Sequence, residues 1–457
     1  MLYSQIICLN NQKTNDITMK KFKINALVIS AIAATSAIFG ACGQKAAQPE
    51  QQASKFITVD STNIIRDGKP YYYIGTNFWS APILGSTGQG GDRERLHKEL
   101  DALKAMGVEN LRILAGAEAG SANANSVQPY LQPRPGELND TLLVGLDYTI
   151  AELEKRGMTA VIYLTNSWDW SGGFGFYLRE CGYGDSPNAS GEGYNEYVKY
   201  SADFVRDERA MEMYHNHVRT IVSRKNTITG RDYKDEPAIM SWQICNEPRP
   251  FGKENKKQFA DWIEKTAQII KSIDSNHLVS TGSEGLYGCE VDQELCEAIH
   301  GSSNIDYLTV HIWPLNWGWA KREAPDSGIE NACERTGKYI DIHIEMSKNI
   351  NKPMVIEEFG FCRRDNKYTL DADVETRDKL YSYVFGHVKN SALTNGVIAG
   401  CNFWGWGGSG RPAGEVWKAG DDFLCDPPHE PQGWYSVFDC DTTTIAIIKE
   451  HTKVLNK

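Results

Sequence analysis

Two glutamates in this chain each close a short apolar run with the length of a buried strand. Glu247 ends Ala238-Ile239-Met240-Ser241-Trp242-Gln243-Ile244-Cys245-Asn246, and Glu358 ends Pro353-Met354-Val355-Ile356-Glu357. In a parallel β/α barrel, a carboxylate at the carboxyl end of a strand lies on the face that carries the chemistry. Two such groups facing across the mouth, about 5 Å apart, suit cleavage of a glycosidic bond with retention: one acid/base and one nucleophile. Their surroundings must separate their pKa values, so that one holds a proton while the other is ionised. Asn246, just before the first acid, offers an amide to a sugar hydroxyl beside the reacting carbon, and Pro248 fixes the backbone as it leaves the strand. Asn-Glu-Pro alone also reads as a strand-end turn; a second strand-end acid downstream gives the pair its weight. The second position is ambiguous between Glu357 and Glu358. Neighbouring side chains on a strand point to opposite faces, so one faces the mouth while the other pairs with a cation or turns toward the surrounding helices.

The elements that must hold these acids alternate along the chain. Strands are expected over 72–77, 110–114, 159–164, 238–245, 278–281, 307–311, 354–356 and 397–403. Leu96, Leu100, Leu103 and Met106 recur at helical spacing and Gly107 stops that helix; further helices are expected over 146–156, 211–223, 259–273, 339–346 and 380–388. Eight nearly continuous apolar strands with helices between them predict an α/β fold, a (β/α)8 TIM barrel rather than an open doubly wound sheet. It is read as a single domain over 55–457, with no internal repeat. Glu247 and Glu358 then end strands four and seven. The loops 168–208 and 405–435 are long, rich in Gly and Trp, and fall on the catalytic face, as loops walling a cleft would.

Composition narrows the function further. With 48 basic against 59 acidic residues and a net charge of −11, the chain offers no basic patch for nucleic acid or an anionic lipid surface. No Gly-rich phosphate fingerprint follows the first strand, and no His/Cys cluster has metal-site spacing, so neither cofactor nor metal is expected. Lys20, Lys21 and Lys23 precede an apolar stretch over 24–40 that ends in Phe39-Gly40-Ala41-Cys42, the pattern of a secretory signal. The Cys after Gly-Ala resembles a bacterial lipoprotein box, with Cys42 lipidated and Met19 as the true start. Residues 1–42 are therefore set aside as upstream and signal sequence, and the polar stretch 43–54 as a flexible tether. The membrane would be met only through that anchor, in a Gram-negative envelope, on the periplasmic side. In an oxidising compartment Cys289 with Cys296, and Cys425 with Cys440, are the expected loop bridges, while Cys245 and Cys401 fall on buried strands and are expected free.

Several motifs resemble glycoside hydrolase family 5, and within it the β-mannanases, over roughly residues 56–457. They are Gly75-Thr76-Asn77-Phe78-Trp79, Leu111-Arg112-Ile113-Leu114, Leu164-Thr165-Asn166-Ser167-Trp168, Cys245-Asn246-Glu247-Pro248, His311-Ile312-Trp313-Pro314, Glu357-Glu358-Phe359-Gly360 and Asn402-Phe403-Trp404-Gly405-Trp406. The resemblance implies that Glu358, before Phe-Gly, is the nucleophile and Glu247 the acid/base of a double displacement on β-1,4-mannosidic linkages in mannan or manno-oligosaccharides. It further implies that Arg112 keeps the nucleophile ionised, that Asn246 binds the 2-hydroxyl, that Trp404 floors the cleaved sugar, and that His311 is the strand-six histidine. Trp79, Asn166, Trp168, Trp313 and Trp406 stand in the same motifs as substrate-binding candidates. One position departs: the family usually has Tyr two residues after that His, where this chain has Trp313. Trp317 and Trp319 follow at once and would narrow the cleft, favouring removal of terminal mannose over mid-chain cutting. A β-1,4-glucan hydrolase of the same fold is the alternative. A non-catalytic glycan-capture lipoprotein is the third reading, against which the two strand-end acids argue.

Overall fold

The computed structural model describes residues 55–190 and 193–455; the expected signal sequence, Cys42 and the expected tether lie outside them. Strands in chain order are β1 Thr58–Asp60, β2 Asn63–Arg66, β3 Lys69–Pro70, β4 Tyr73–Asn77, β5 Asn110–Leu114, β6 Thr159–Tyr163, β7 Ile239–Gln243, β8 Leu278–Ser280, β9 Leu308–Ile312, β10 Met354–Phe359, β11 Ile398–Phe403, β12 Trp406–Gly408 and β13 Val437–Phe438. Eight of them form one parallel sheet in the order β8-β7-β6-β5-β4-β11-β10-β9. This is the expected (β/α)8 barrel, and its strands sit where the apolar runs placed them. Both faces of each strand are covered, which is why the runs are apolar rather than alternating.

The cylinder closes between β8 and β9 through single contacts rather than a ladder. The Asp306 N–H donates to the Val279 carbonyl at 2.8 Å, its carboxylate accepts from the Val279 N–H at 2.6 Å, and the Thr309 hydroxyl donates to the Ser283 carbonyl at 2.8 Å. At the opposite, amino-terminal end of the barrel, β1, β2 and β3 form a small antiparallel sheet. Its last turn runs through Asp67 and Gly68, both at positive φ (52° and 75°), the conformation a two-residue hairpin requires. Ile57 and Ile64 from this segment pack with Tyr73, Met240, Leu278, Tyr307 and Val355, the residues at the starts of the barrel strands, and so floor the barrel.

Polar caps explain where several helices begin. Asp92, Asn139, Asp207 and Asp292 each accept backbone N–H bonds at the starts of helices Arg93–Ala105, Asp140–Lys155, Glu208–Val222 and Gln293–Gly301. The helix expected over 339–346 belongs to a longer one, Pro325–Ile350. The loop expected over 168–208 carries helices Gly173–Leu178 and Tyr194–Ser201. Helix Thr442–Leu455 closes the chain. No described helix is long and apolar enough to cross a membrane.

The expected disulfides are corrected: Cys289, Cys296, Cys425 and Cys440 are all free thiols, as are Cys245 and Cys401. Cys425 is buried with its Sγ 3.7 Å from the Asn77 carbonyl, whereas Cys440 is exposed. Cys296 directs its thiol at His300, 3.7 Å away.

Candidate active site

The carboxyl ends of the barrel strands bring Glu247 and Glu358 together. One side-chain atom each of Glu247, His311 and Glu358 lies within 4.8 Å of the other two. Glu247 leaves its strand at φ 48°, a left-handed conformation that a non-glycine residue holds only when its surroundings enforce it. Its N–H donates to the Gly282 carbonyl at 2.9 Å, and the Ser167 hydroxyl donates to its carbonyl. Gly282 itself sits at φ 76°, and a Cβ there would collide with the Cys245 carbonyl, so the close approach of the two strand ends requires glycine.

Arg112, fully buried on β5, organises the other acid. Its Nη1 donates to the Glu358 carboxylate and to Asn77 Oδ1 at 3.1 Å. Nε donates to Gln243 Oε1 at 2.7 Å and Nη2 to Asn246 Oδ1 at 2.7 Å. The guanidinium lies over the Tyr163 ring, 4.5 Å from its centre. Each of its three nitrogens is thus engaged, and a fixed cation stands beside Glu358 in a low-dielectric place. Asn246 then donates its amide to Asn166 Oδ1 at 3.1 Å, and the same oxygen receives the Trp168 N–H at 3.0 Å. One chain of bonds therefore links the nucleophile candidate to the acid/base candidate.

His311 stands between the acids. Its Nδ1 is 2.9 Å from Glu247 Oε1 and 3.3 Å from Glu358 Oε2. Burial pushes the ring downward, but the Glu358 charge and the bonds to both carboxylates outweigh it and pull its pKa up to about 9. Burial pushes the Glu247 carboxyl upward; the hydrogen bond and charge of His311, the Arg249 guanidinium and the Trp168 indole overcome this and hold it below the usual carboxylate value. His311 and Glu247 are thus pushed in opposite directions, toward a charged imidazole beside a charged carboxylate.

A backbone irregularity sets the different surroundings of Glu357 and Glu358. In the β9–β10 pairing Val310 faces Ile356 while His311 faces Glu358, so Glu357 is an extra residue in a bulge. Strict alternation fails there, and both acids turn inward: Glu358 to Arg112, Glu357 to Gln243 Nε2 at 2.6 Å and the Tyr307 hydroxyl at 3.1 Å. Of the two destinations expected for the second acid, Glu357 takes the first: its Oε2 faces His311 Nε2 at 4.0 Å, inside the barrel and not toward the helices.

Trp168, half-buried at the cleft, donates its indole N–H to Glu247 Oε2 at 2.6 Å. The Arg249 guanidinium lies 5.2 Å from a Trp168 ring centre and grips Glu284 through two bonds of 2.5 and 2.6 Å. Burial raises the Glu284 carboxyl to about 7, against the pull of Arg249. Neither residue was singled out from the sequence, yet Arg249 follows Asn246-Glu247-Pro248 directly and Glu284 stands just past β8, the position that drew attention to Glu247. Replacing Trp168 by Phe is expected to lower kcat about tenfold, the loss of one hydrogen bond to a charged group. A raised KM at unchanged kcat would instead make Trp168 a stacking surface only.

The other tryptophans divide. Trp404 and Trp313 meet edge to face at 5.9 Å, and Trp313 meets Tyr435 at 5.2 Å; the Trp404 N–H donates to the Phe359 carbonyl at 2.9 Å, next to Glu358. Trp79 and Trp406 are not brought to the acids. Their buried indoles donate to the Cys425 carbonyl and to Glu99 Oε2, both at 2.8 Å, inside the packing around the barrel. Trp319 is buried against Tyr339; Trp317 is half-exposed and stacked on Tyr287 at 4.3 Å, so of these two only Trp317 presents a face to solvent.

Comparison with known proteins agrees with this geometry. Residues 54–457 match the family described as GH family 5 beta-mannosidase-like. The chain is 30% identical over 365 residues to mannan endo-1,4-beta-mannosidase 1 of Oryza sativa subsp. japonica, covering 76% of this chain and 78% of that one. It is 30% identical to mannan endo-1,4-beta-mannosidase 4 of Solanum lycopersicum, covering 77% and 83%. The crystal structure of the glycoside hydrolase family 5 mannosidase from Rhizomucor miehei aligns with a TM-score of 0.80 at 35% identity, over 88% of this chain and 98% of that one. A mutant of that enzyme in complex with mannosyl-fructose aligns at 0.81 and 34% identity, with the same coverage. The chain is a glycoside hydrolase and belongs to the β-mannosidase-like group of family 5.

Proposed function

We propose that this enzyme hydrolyses β-1,4-mannosidic linkages in mannan or manno-oligosaccharides by double displacement, with Glu358 as nucleophile and Glu247 as acid/base. The observation that carries this reading is the closeness of the two carboxylates, within 4.8 Å through their nearest atoms, which leaves no room for a water between sugar and nucleophile. Glu358 attacks the anomeric carbon while Glu247 protonates the leaving oxygen; Glu247 then takes a proton from the water that releases the sugar. Arg112 fixes Glu358 as an anion, Asn246 meets the 2-hydroxyl, and Trp404 lies under the sugar. The mannose preference rests on the family and its relatives. Export and lipid attachment at Cys42 rest on the sequence of residues 19–42 alone, and the periplasm-facing position on Gly43-Gln44-Lys45, which carry no acidic run.

Parallel assays on mannan, glucomannan, xylan and cellulose, with proton NMR of the first-formed reducing ends, test this. Mannan and manno-oligosaccharides should be the best substrates, and the first product should be the β-anomer. Faster turnover of cellulose, or an initial α-anomer, would overturn the assignment. The half-exposed Trp317 favours short chains and chain ends, so terminal mannose should appear before a ladder of mixed oligomers.

A further inference from the structure

We propose that Glu357 is a positioning residue that holds the His311 ring from beneath, in the charged state in which it bridges Glu247 and Glu358. The inference rests on the roles assigned above to those two acids. The bulge in β10 is the first support: it places a second, fully buried carboxylate inside the barrel, where regular pairing would have turned it away. The second is the far side of the ring. His311 Nε2 is buried without a hydrogen-bond partner, and Glu357 Oε2 faces it at 4.0 Å. A charged imidazole carries N–H on both nitrogens, and Nδ1 is already committed to the acids above. Glu357 is itself held in place from two sides, by Gln243 Nε2 at 2.6 Å and the Tyr307 hydroxyl at 3.1 Å.

The charges around the ring agree. The cations facing this cluster are Arg112 from β5 and Arg249 beyond β7. The acids are Glu247, Glu358 and Glu357, with Glu284 beyond β8 and Glu430 between β12 and β13, which acts on Glu358 and Glu247; the phenols of Tyr73 and Tyr307 stay neutral, driven up by burial. Burial raises the Glu357 carboxyl, opposed by Arg112 and His311, and leaves it above its usual value. Its Oε2 meets the ring at Nε2, 4.0 Å away, where negative charge opposes loss of the ring proton. His311 thereby keeps a proton in reserve 2.9 Å from Glu247 Oε1. That proton moves from Nδ1 to Glu247 and ends on the leaving oxygen; the attacking water returns one in the second step.

The test is the pH profile of kcat/KM on a manno-oligosaccharide for E357Q, whose amide can still accept from Gln243 and reach Tyr307. Activity of the free enzyme is lost as pH rises past the loss of the stored proton. Removing the anion beneath lowers that pKa, so the basic limb should move down by about one pH unit. In an H311Q background, adding E357Q should move it no further. An unmoved basic limb in folded E357Q, or an equal shift without His311, overturns the proposal. If E357Q does not fold, nitrogen-15 spectra of histidine in the wild-type enzyme decide: at pH 7 the His311 ring should carry protons on both nitrogens, and a neutral ring overturns it. Failure of the underlying assignment looks different, since E247Q or E358Q would then retain wild-type turnover.

Discussion

Glu358→Ala is expected to reduce turnover of manno-oligosaccharides at least about 10³-fold, roughly 4 kcal/mol of barrier, while folding is retained. The side chain is almost wholly buried, and Arg112, which loses it as a partner, keeps its bonds to Asn77, Gln243 and Asn246. The decisive measurement adds azide. In this variant azide can occupy the vacated position and attack an activated aryl β-mannoside, and a single displacement yields the α-mannosyl azide. A variant that keeps substantial unassisted activity, or gives only the β-azide, would remove Glu358 from the nucleophile's role.

Glu247→Ala should cost between about 10² and 10⁴ in turnover of natural substrates, the range removed with a general acid/base. The loss depends on the leaving group. With 2,4-dinitrophenyl β-mannoside, whose phenolate needs no proton, the first step should be nearly as fast as in the wild type, and a burst of dinitrophenolate should precede slow release of the sugar. Azide should now restore turnover and give the β-mannosyl azide. The two variants thus give products of opposite anomeric configuration, which separates nucleophile from acid/base without reference to rate. Equal losses on activated and natural substrates would argue that Glu247 supports the site structurally.

Much of this was legible in the sequence because burial leaves simple traces. All eight barrel strands sit where apolar runs placed them, since strands covered on both faces cannot afford polar alternation. The strand ends drew attention to Glu247 and to the pair Glu357 and Glu358, and the choice of Glu358, before Phe-Gly, came from the resemblance. What stayed hidden depended on departures from regularity or on direction. Strict alternation gave the wrong face for Glu357, because a bulge is a matter of register with β9 and leaves no mark in local composition. Trp79 and Trp406 were placed with the substrate because a tryptophan's type does not say which side of a barrel wall it packs against. Glu284 carried the same trace as Glu247, an acid just past a strand, and its grip on Arg249 appears only once the loops beyond β7 and β8 lie side by side. The hairpin over 58–70 went unread, although Asp67-Gly68 is a strong turn pair between its short polar strands.

The small sheet under the barrel has a consequence for where this domain begins. With Ile57 and Ile64 in place the cylinder is a cup, dry at its base, and the ionised groups near its brim act on one another with little water from below. A truncation starting at Tyr72 would keep every residue that touches sugar and still unseal the vessel. The lowest layer of side chains would be wetted, and the charges above would be muted by solvent reaching them from the wrong end.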